Sequence, residues 1–171
     1  MNAKLINQFV YAHFSNYNYR LFNSFVYGWE SDFFAVSKSG YSIEVETKIS
    51  YADFKNDFLK LTANGQNKHA AILNKSYLEK PNKFYFACPE NLIKHDEINP
   101  NYGLIYITAT GAKVIRESKF LHKDKILESK KYLRILLNKF YFRNQQLRIA
   151  ANLREYDIKY GQKRLYDIDY F

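Results

Sequence analysis

Residues 30–48 read ESDFFAVSKSGYSIEVETK. Two runs in this stretch, 32–37 and 42–49, alternate in the period of two that marks strands, and Lys38-Ser39-Gly40 between them supplies a turn. In the second run Glu44, Glu46 and Lys48 alternate with Ile43, Val45 and Thr47. Side chains two apart share a face, so one face of an otherwise apolar strand carries two carboxylates and an ammonium. Charges on a core strand are costly unless paired or metal-bound. With a three-residue loop, Ser37 faces Tyr41, and the same register sets Asp32 opposite Glu46. Facing residues have Cβ atoms about 4.5–5.5 Å apart. Lys48 follows on the same face, near Glu30. A two-residue loop would move Asp32 to the other face; Gly40 suits the longer turn.

Outward from the hairpin, Leu5, Ile6, Phe9, Val10, His13 and Phe14 recur at helical spacing, predicting an amphipathic helix within residues 2–17. The aromatic and β-branched run 22–29 reads as a first strand. Ser50 followed by Asp53 is an acidic capping box, opening a helix with Phe54, Phe58 and Leu61 inward. Asn64-Gly65 interrupts it before a second helical stretch over 68–78. FYFAC at 84–88 is a short buried strand stopped by Pro89, GLIYIT at 103–108 another, and 112–116 can pair with it across Thr110-Gly111. From about 123 to 155 there is neither Gly nor Pro, and Ile126, Leu133, Phe140 and Leu147 recur every seven residues. This predicts a long helix whose apolar stripe packs on the domain or on a second copy of the chain, as in a homodimer.

The 171 residues suit one domain, with 47% hydrophobic and 25% charged residues. No stretch approaches the ~18 apolar residues of a membrane span. The start of the chain lacks a signal-peptide pattern, so a cytoplasmic protein with no membrane partner is the expectation. Cys88 is the single cysteine, which excludes an internal disulfide. The net charge of +9 is concentrated: residues 119–164 hold 13 basic and 4 acidic side chains. Lys131, Arg134, Lys139, Arg143 and Arg148 on the long helix suggest a polyanion partner, DNA foremost. Lys68 and His69 are further candidates for a phosphate.

An Asp on one strand and Glu-x-Lys on the next suit metal-dependent phosphodiester hydrolysis. Asp32 and Glu46 would hold Mg²⁺ or Mn²⁺ through oxygen, with the backbone carbonyl of Thr47 facing the same metal if the strand bends there. Lys48 would position the attacking water or steady the charge that develops on the phosphate. Glu30 and Glu44 are peripheral candidates that touch metal through water. Asp53 reads as a helix cap and Trp29 as core.

The segments ESDFFAVSKSGYSIEVETKISYADFKNDF, KH at Lys68-His69, KFYFACPENLI, GLIYITATGAKVIRE and FLHK together resemble the PD-(D/E)XK nuclease superfamily, and within it the small MmcB-like proteins of bacteria and phages. The resemblance covers roughly residues 30–123. It implies an α/β restriction-endonuclease-like core, a mixed central sheet flanked by helices, over residues 1–122. Residues 123–171 then form a basic helical extension. It also implies metal-binding Asp32 and Glu46, catalytic Lys48, and a Mg²⁺-dependent nuclease acting in repair, recombination or phage DNA processing. Leu61–Asn67 reads as an insertion, so Lys55, Lys60, Gln66 and Lys68 all remain candidates for the helical residue that completes the site. Two other readings stand beside the enzyme: an inactive nucleic-acid-binding module of the same fold, and an assembly protein using its C-terminal helix.

Overall fold

The computed structural model describes residues 1–77 and 79–160, with side chains described through 152. It divides into two compact units between Ser129 and Lys130. In the first, α1 (Ala3–His13) precedes β1 (Tyr19–Ser24), β2 (Ser31–Val36) and β3 (Ser42–Thr47). Helices α2 (Tyr51–Asp57) and α3 (Lys68–Leu73) lead to β4 (Lys83–Pro89), β5 (Gly103–Thr108) and β6 (Gly111–Arg116). The six strands form one mixed sheet in sequence order, parallel at β3–β4 and β4–β5 and antiparallel elsewhere. The chain is thus an α/β protein with a mixed sheet flanked by helices.

Alternation sorts the sheet into two chemically different faces. One is apolar: Phe33, Ala35, Ile43, Val45, Tyr85, Ala87, Ile105 and Ile107 pack with Ile6 and Val10 of α1 and with Phe14, which ends it. Asn2 caps α1 by accepting from the Leu5 amide at 2.9 Å. The other face carries Glu44, Glu46, Phe84 and Phe86, with Phe54 of α2 and His69 of α3 ringed against Phe86 at 5.3 and 5.9 Å. A parallel β3–β4 pair needs a crossover. Here it is α2–α3, and that connection lays polar side chains on the charged face.

The β2–β3 register pairs Phe33 with Val45 and Val36 with Ser42, as the three-residue turn requires. Gly40 sits at φ +88°, a left-handed conformation that β-branched and bulky residues avoid. The Ser37 amide donates to the Tyr41 carbonyl at 2.9 Å, closing the loop. Ser50 accepts from the Asp53 amide at 3.1 Å, and the Ile49 amide donates back to Asp53 at 3.3 Å, so Asp53 serves the helix cap.

Several boundaries differ from the sequence reading. The first strand is 19–24, not 22–29. Asn23 takes φ +45°, and residues 25–30 form a connection. Helix α2 ends at Asp57, so Leu61 faces outward at 61% exposure instead of lying inward with Phe54. α3 stops at Leu73, short of 78. The first unit runs through Ser129, so residues 123–129, expected in the extension, belong to it; the Ile126 N–H bonds the Gly40 carbonyl.

The long helix, α4 (Lys130–Tyr160), begins after a 3₁₀ turn at Ile126–Glu128, so Ile126 is not part of its stripe. Leu133 and Leu147 of the expected stripe are exposed in the single chain. The basic residues do not form one face. Arg134 and Arg143 are nine residues apart, about two and a half turns, and so point to opposite sides. No helix among the described residues is long and apolar enough to cross a membrane.

Candidate functional site

On the polar face of the sheet, β2 supplies Asp32, β3 supplies Glu44 and Glu46, and Lys48 follows directly after β3. The crossover adds Asp57 from the end of α2, Lys60 from the turn after it, and Lys68 and His69 from the start of α3. Glu44, Glu46, Asp57 and Lys68 are wholly buried, and Lys48 is 1% exposed. Burial of so many charges is tolerable only because each is paired.

Glu46 is the hub. Its Oε2 accepts from Lys48 at 3.2 Å and Lys60 at 2.8 Å, and its Oε1 accepts from Lys68 at 2.6 Å. Asp57 is the second anchor: Oδ1 lies 2.7 Å from both Lys48 and Lys60, and Oδ2 accepts from His69 Nε2 at 2.8 Å. His69 Nδ1 lies 3.0 Å from the Tyr102 hydroxyl. Glu44 pairs with Lys68 at 2.9 Å and accepts the Trp29 indole N–H at 2.9 Å. Gly103 serves the opposite, apolar face, where a Cβ would lie 2.1 Å from the Tyr85 ring.

Asp32 occupies the place where the β2–β3 ladder ends. Beyond the Phe33–Val45 pair its carboxylate stands in for backbone, Oδ2 accepting the Thr47 N–H at 2.8 Å. Within a strand, a residue's N–H and C=O point to the same side, so the Thr47 carbonyl also faces this gap.

The charges divide unequally. Burial raises Asp32 to about 6, with the Glu46 carboxylate adding to the rise. Burial likewise raises Glu44 to about 7, against the pull of Lys68 and with Glu46 adding to it. Glu46, with three ammoniums, is held below its ordinary value in spite of burial. Asp57 is held well below too, as His69 and the lysines outweigh desolvation. The two low carboxylates stabilise the fold while ionised, a contribution that is lost as pH falls through and below their ordinary range. The two raised ones oppose folding once ionised, so protonating them between about pH 7 and 5 stabilises. Stability is therefore expected to peak on the acid side of neutrality and collapse below about pH 4. Urea unfolding across pH 3–8 checks this; a curve still rising at pH 3.5 would contradict the pairing.

The cluster meets a groove at one edge. Asp32 and Lys60 line a groove of about 500 Å³ with Glu30, Trp29, Tyr27, Phe25, Gly28 and residues 61–63. Lys60, at 42% side-chain exposure, is the accessible ammonium of the three on Glu46.

The sequence-predicted site residues are therefore sorted by burial. Asp32, Glu46, Thr47 and Lys48 come together. Glu44 lies in the same cluster, but its oxygens meet Lys68 and Trp29. Glu30 is exposed on the groove. Lys68 and His69 are corrected: at 0% and 5% exposure they are sealed from a phosphate, Lys68 pairing with Glu44 and Glu46 and His69 bonding Asp57. Of the candidates for the completing residue, Lys60 and Lys68 both reach Glu46, while Lys55 lies over the Tyr51 ring. Asp57 was missed. Its position seven after Ser50 gives it the same helix face as Phe54, the signal that could have found it. Cys88 is buried, and desolvation pushes its thiol up to about 12.

The donor chemistry fits a hard divalent ion in kind. Asp32, Glu46 and the Thr47 carbonyl form an all-oxygen set, and Mg²⁺ commonly uses one or two carboxylates with waters. Among the described residues no group of three or more His, Cys, Asp or Glu forms a ready metal cage. A cation at Glu46 would compete with Lys60, the ammonium on the open side.

These features define an α/β protein with a buried charge cluster opening on a groove. No protein-family model matches the chain, and no curated protein matches it in sequence. A solved structure described as SPO1766 protein of unknown function from Silicibacter pomeroyi is similar, with TM-score 0.60 over 98% of this chain and 99% of its own. At 13% identity that likeness concerns the fold alone.

Proposed function

We propose that the protein is a metal-dependent nuclease of PD-(D/E)XK type, hydrolysing phosphodiester bonds in nucleic acid, DNA foremost. The observation that carries this reading is the convergence of Asp32, Glu46 and Lys48 on one face at the end of the β2–β3 ladder, beside a groove. A Mg²⁺ or Mn²⁺ ion held by Asp32 and Glu46 would polarise the phosphate and lower the pKa of an attacking water. Asp32 and Glu46 supply the negative charge that holds it. Lys60 is placed to meet the substrate phosphate, since it is exposed on the groove while Lys48 is sealed. Lys48, bonded to both Glu46 and Asp57, holds the Glu46 carboxylate in position. Basic side chains around α4, with Lys131, Arg134, Arg143 and Arg148 exposed and Lys139 partly so, support a polyanion partner.

The test is incubation with linear, circular and single-stranded DNA in Mg²⁺, Mn²⁺ or EDTA, beside a Lys48→Ala variant. Cleavage that needs the metal and is lost in the variant is expected. Binding without cleavage in any metal would leave the second reading, an inactive nucleic-acid-binding module. One observation favours that module: both oxygens of Glu46 are already taken by lysines.

A further inference from the structure

The groove beside the cluster has a composition that the hydrolytic centre does not explain. Its carboxyl and ammonium groups, Glu30, Asp32 and Lys60, are joined by a mainly apolar remainder that includes Tyr27 and Thr62. Tyr27 and Trp29 are 8% and 4% exposed and form a buried floor, whereas Phe25 and Leu61 are 59% and 61% exposed. The two walls are tied together, the Ala63 amide donating to the Gly28 carbonyl at 2.6 Å. Asn23, at φ +45°, turns the chain as β1 ends, and Phe25 is left outside while Val26 goes in. A lone exposed Phe is ordinary. One lining a groove of about 500 Å³ together with the exposed ammonium of the site is a platform.

Resting on the nuclease reading, we infer that this groove takes an unpaired nucleobase, stacked on Phe25, with the adjoining phosphate at Lys60. The substrate is thereby a single strand, a frayed end or a flap. The π-face of a base needs a flat apolar contact and is indifferent to base identity. The phosphate needs a cation, and Lys60 is the groove's ammonium among the described residues. Inside a duplex both faces of each base are covered by neighbours, so a paired base has none to offer Phe25.

Trp29 is the chain's one tryptophan and lines the groove, so its fluorescence reports entry. The experiment titrates the full-length protein with a short thymidine oligonucleotide, and with the blunt duplex formed from that strand and its complement. Both titrations run in EDTA and in Ca²⁺, for the parent chain, Phe25→Ala and Phe25→Tyr. Tighter binding of the single strand, a change in Trp29 emission, a loss of roughly tenfold in Phe25→Ala and rescue in Phe25→Tyr are expected. Phe25 is exposed, so an unchanged melting temperature separates lost stacking from lost fold. Equal affinity for strand and duplex, or an unaffected Phe25→Ala, overturns the inference while metal-dependent cleavage can still stand. Trp29 quenching by an arginine-rich peptide but by no oligonucleotide overturns it as well, assigning the groove to a cation against Glu30 and Asp32. Single-strand stacking in a protein that cleaves nothing supports the groove assignment and removes only the nuclease reading.

Discussion

Asp57→Ala is expected to lower the free energy of unfolding by about 3–5 kcal/mol, because it strands charges that water cannot reach. Lys48 would keep only its longer contact, 3.2 Å to Glu46, and His69 Nε2 would lose its acceptor. For a chain of this size that loss corresponds to a fall in melting temperature of about 10 °C or more. Urea unfolding at pH 7 measures it. A loss below about 1 kcal/mol would mean that the cluster is wetter and looser than the geometry shows. Adding Lys48→Met to Asp57→Ala should recover part of the loss, since removing both members of a buried pair costs less than removing one.

Asp32→Asn is expected to separate stability from activity. Asn retains an oxygen for the Thr47 N–H but removes the charge that burial and Glu46 both oppose. A rise from 3.8 to about 6 is worth roughly 1–2 kcal/mol after allowance for the open side, so the variant should gain about that much at pH 7–8. If Asp32 holds the metal, cleavage should fall by roughly a thousandfold, as several kcal/mol of metal-derived stabilisation are lost. Unfolding curves and metal titration on the same preparation decide it. A variant that is more stable and equally active would show that Asp32 is not a ligand. A variant that is less stable would show that its carboxylate is a structural partner. Gains in stability on removing a group are the mark of a site kept for function at the expense of fold.

Much of this was legible from short-range rules. The hairpin register followed from one glycine and a three-residue loop, because period-two alternation leaves no freedom once the turn length is set. That register placed Asp32, Glu46 and Lys48 on one face. The Ser50–Asp53 cap was equally readable. Asp57 was less so, since a carboxylate in the last turn of a helix normally faces solvent. Its burial depends on the sheet face beneath it. Lys68 and His69 were read as candidates for a phosphate, and their residue types, usually exposed, carry no sign of burial.

What the sequence by itself determined is local: the strands and helices near residues 3–13, 31–36, 42–47 and 103–108, the turn at Gly40, and the concentration of basic charge after residue 118. What only the tertiary structure decided is which charges are inside. Lys48, Lys60 and Lys68 are indistinguishable by type, yet two are sealed and one lines the groove. The difference arises because the α2–α3 crossover lies against the charged face and buries Lys48 and Lys68, while Lys60, in the turn between the two helices, lies on the groove. Long-range packing thus sets the dielectric around each charge, and with it the role that each lysine can take.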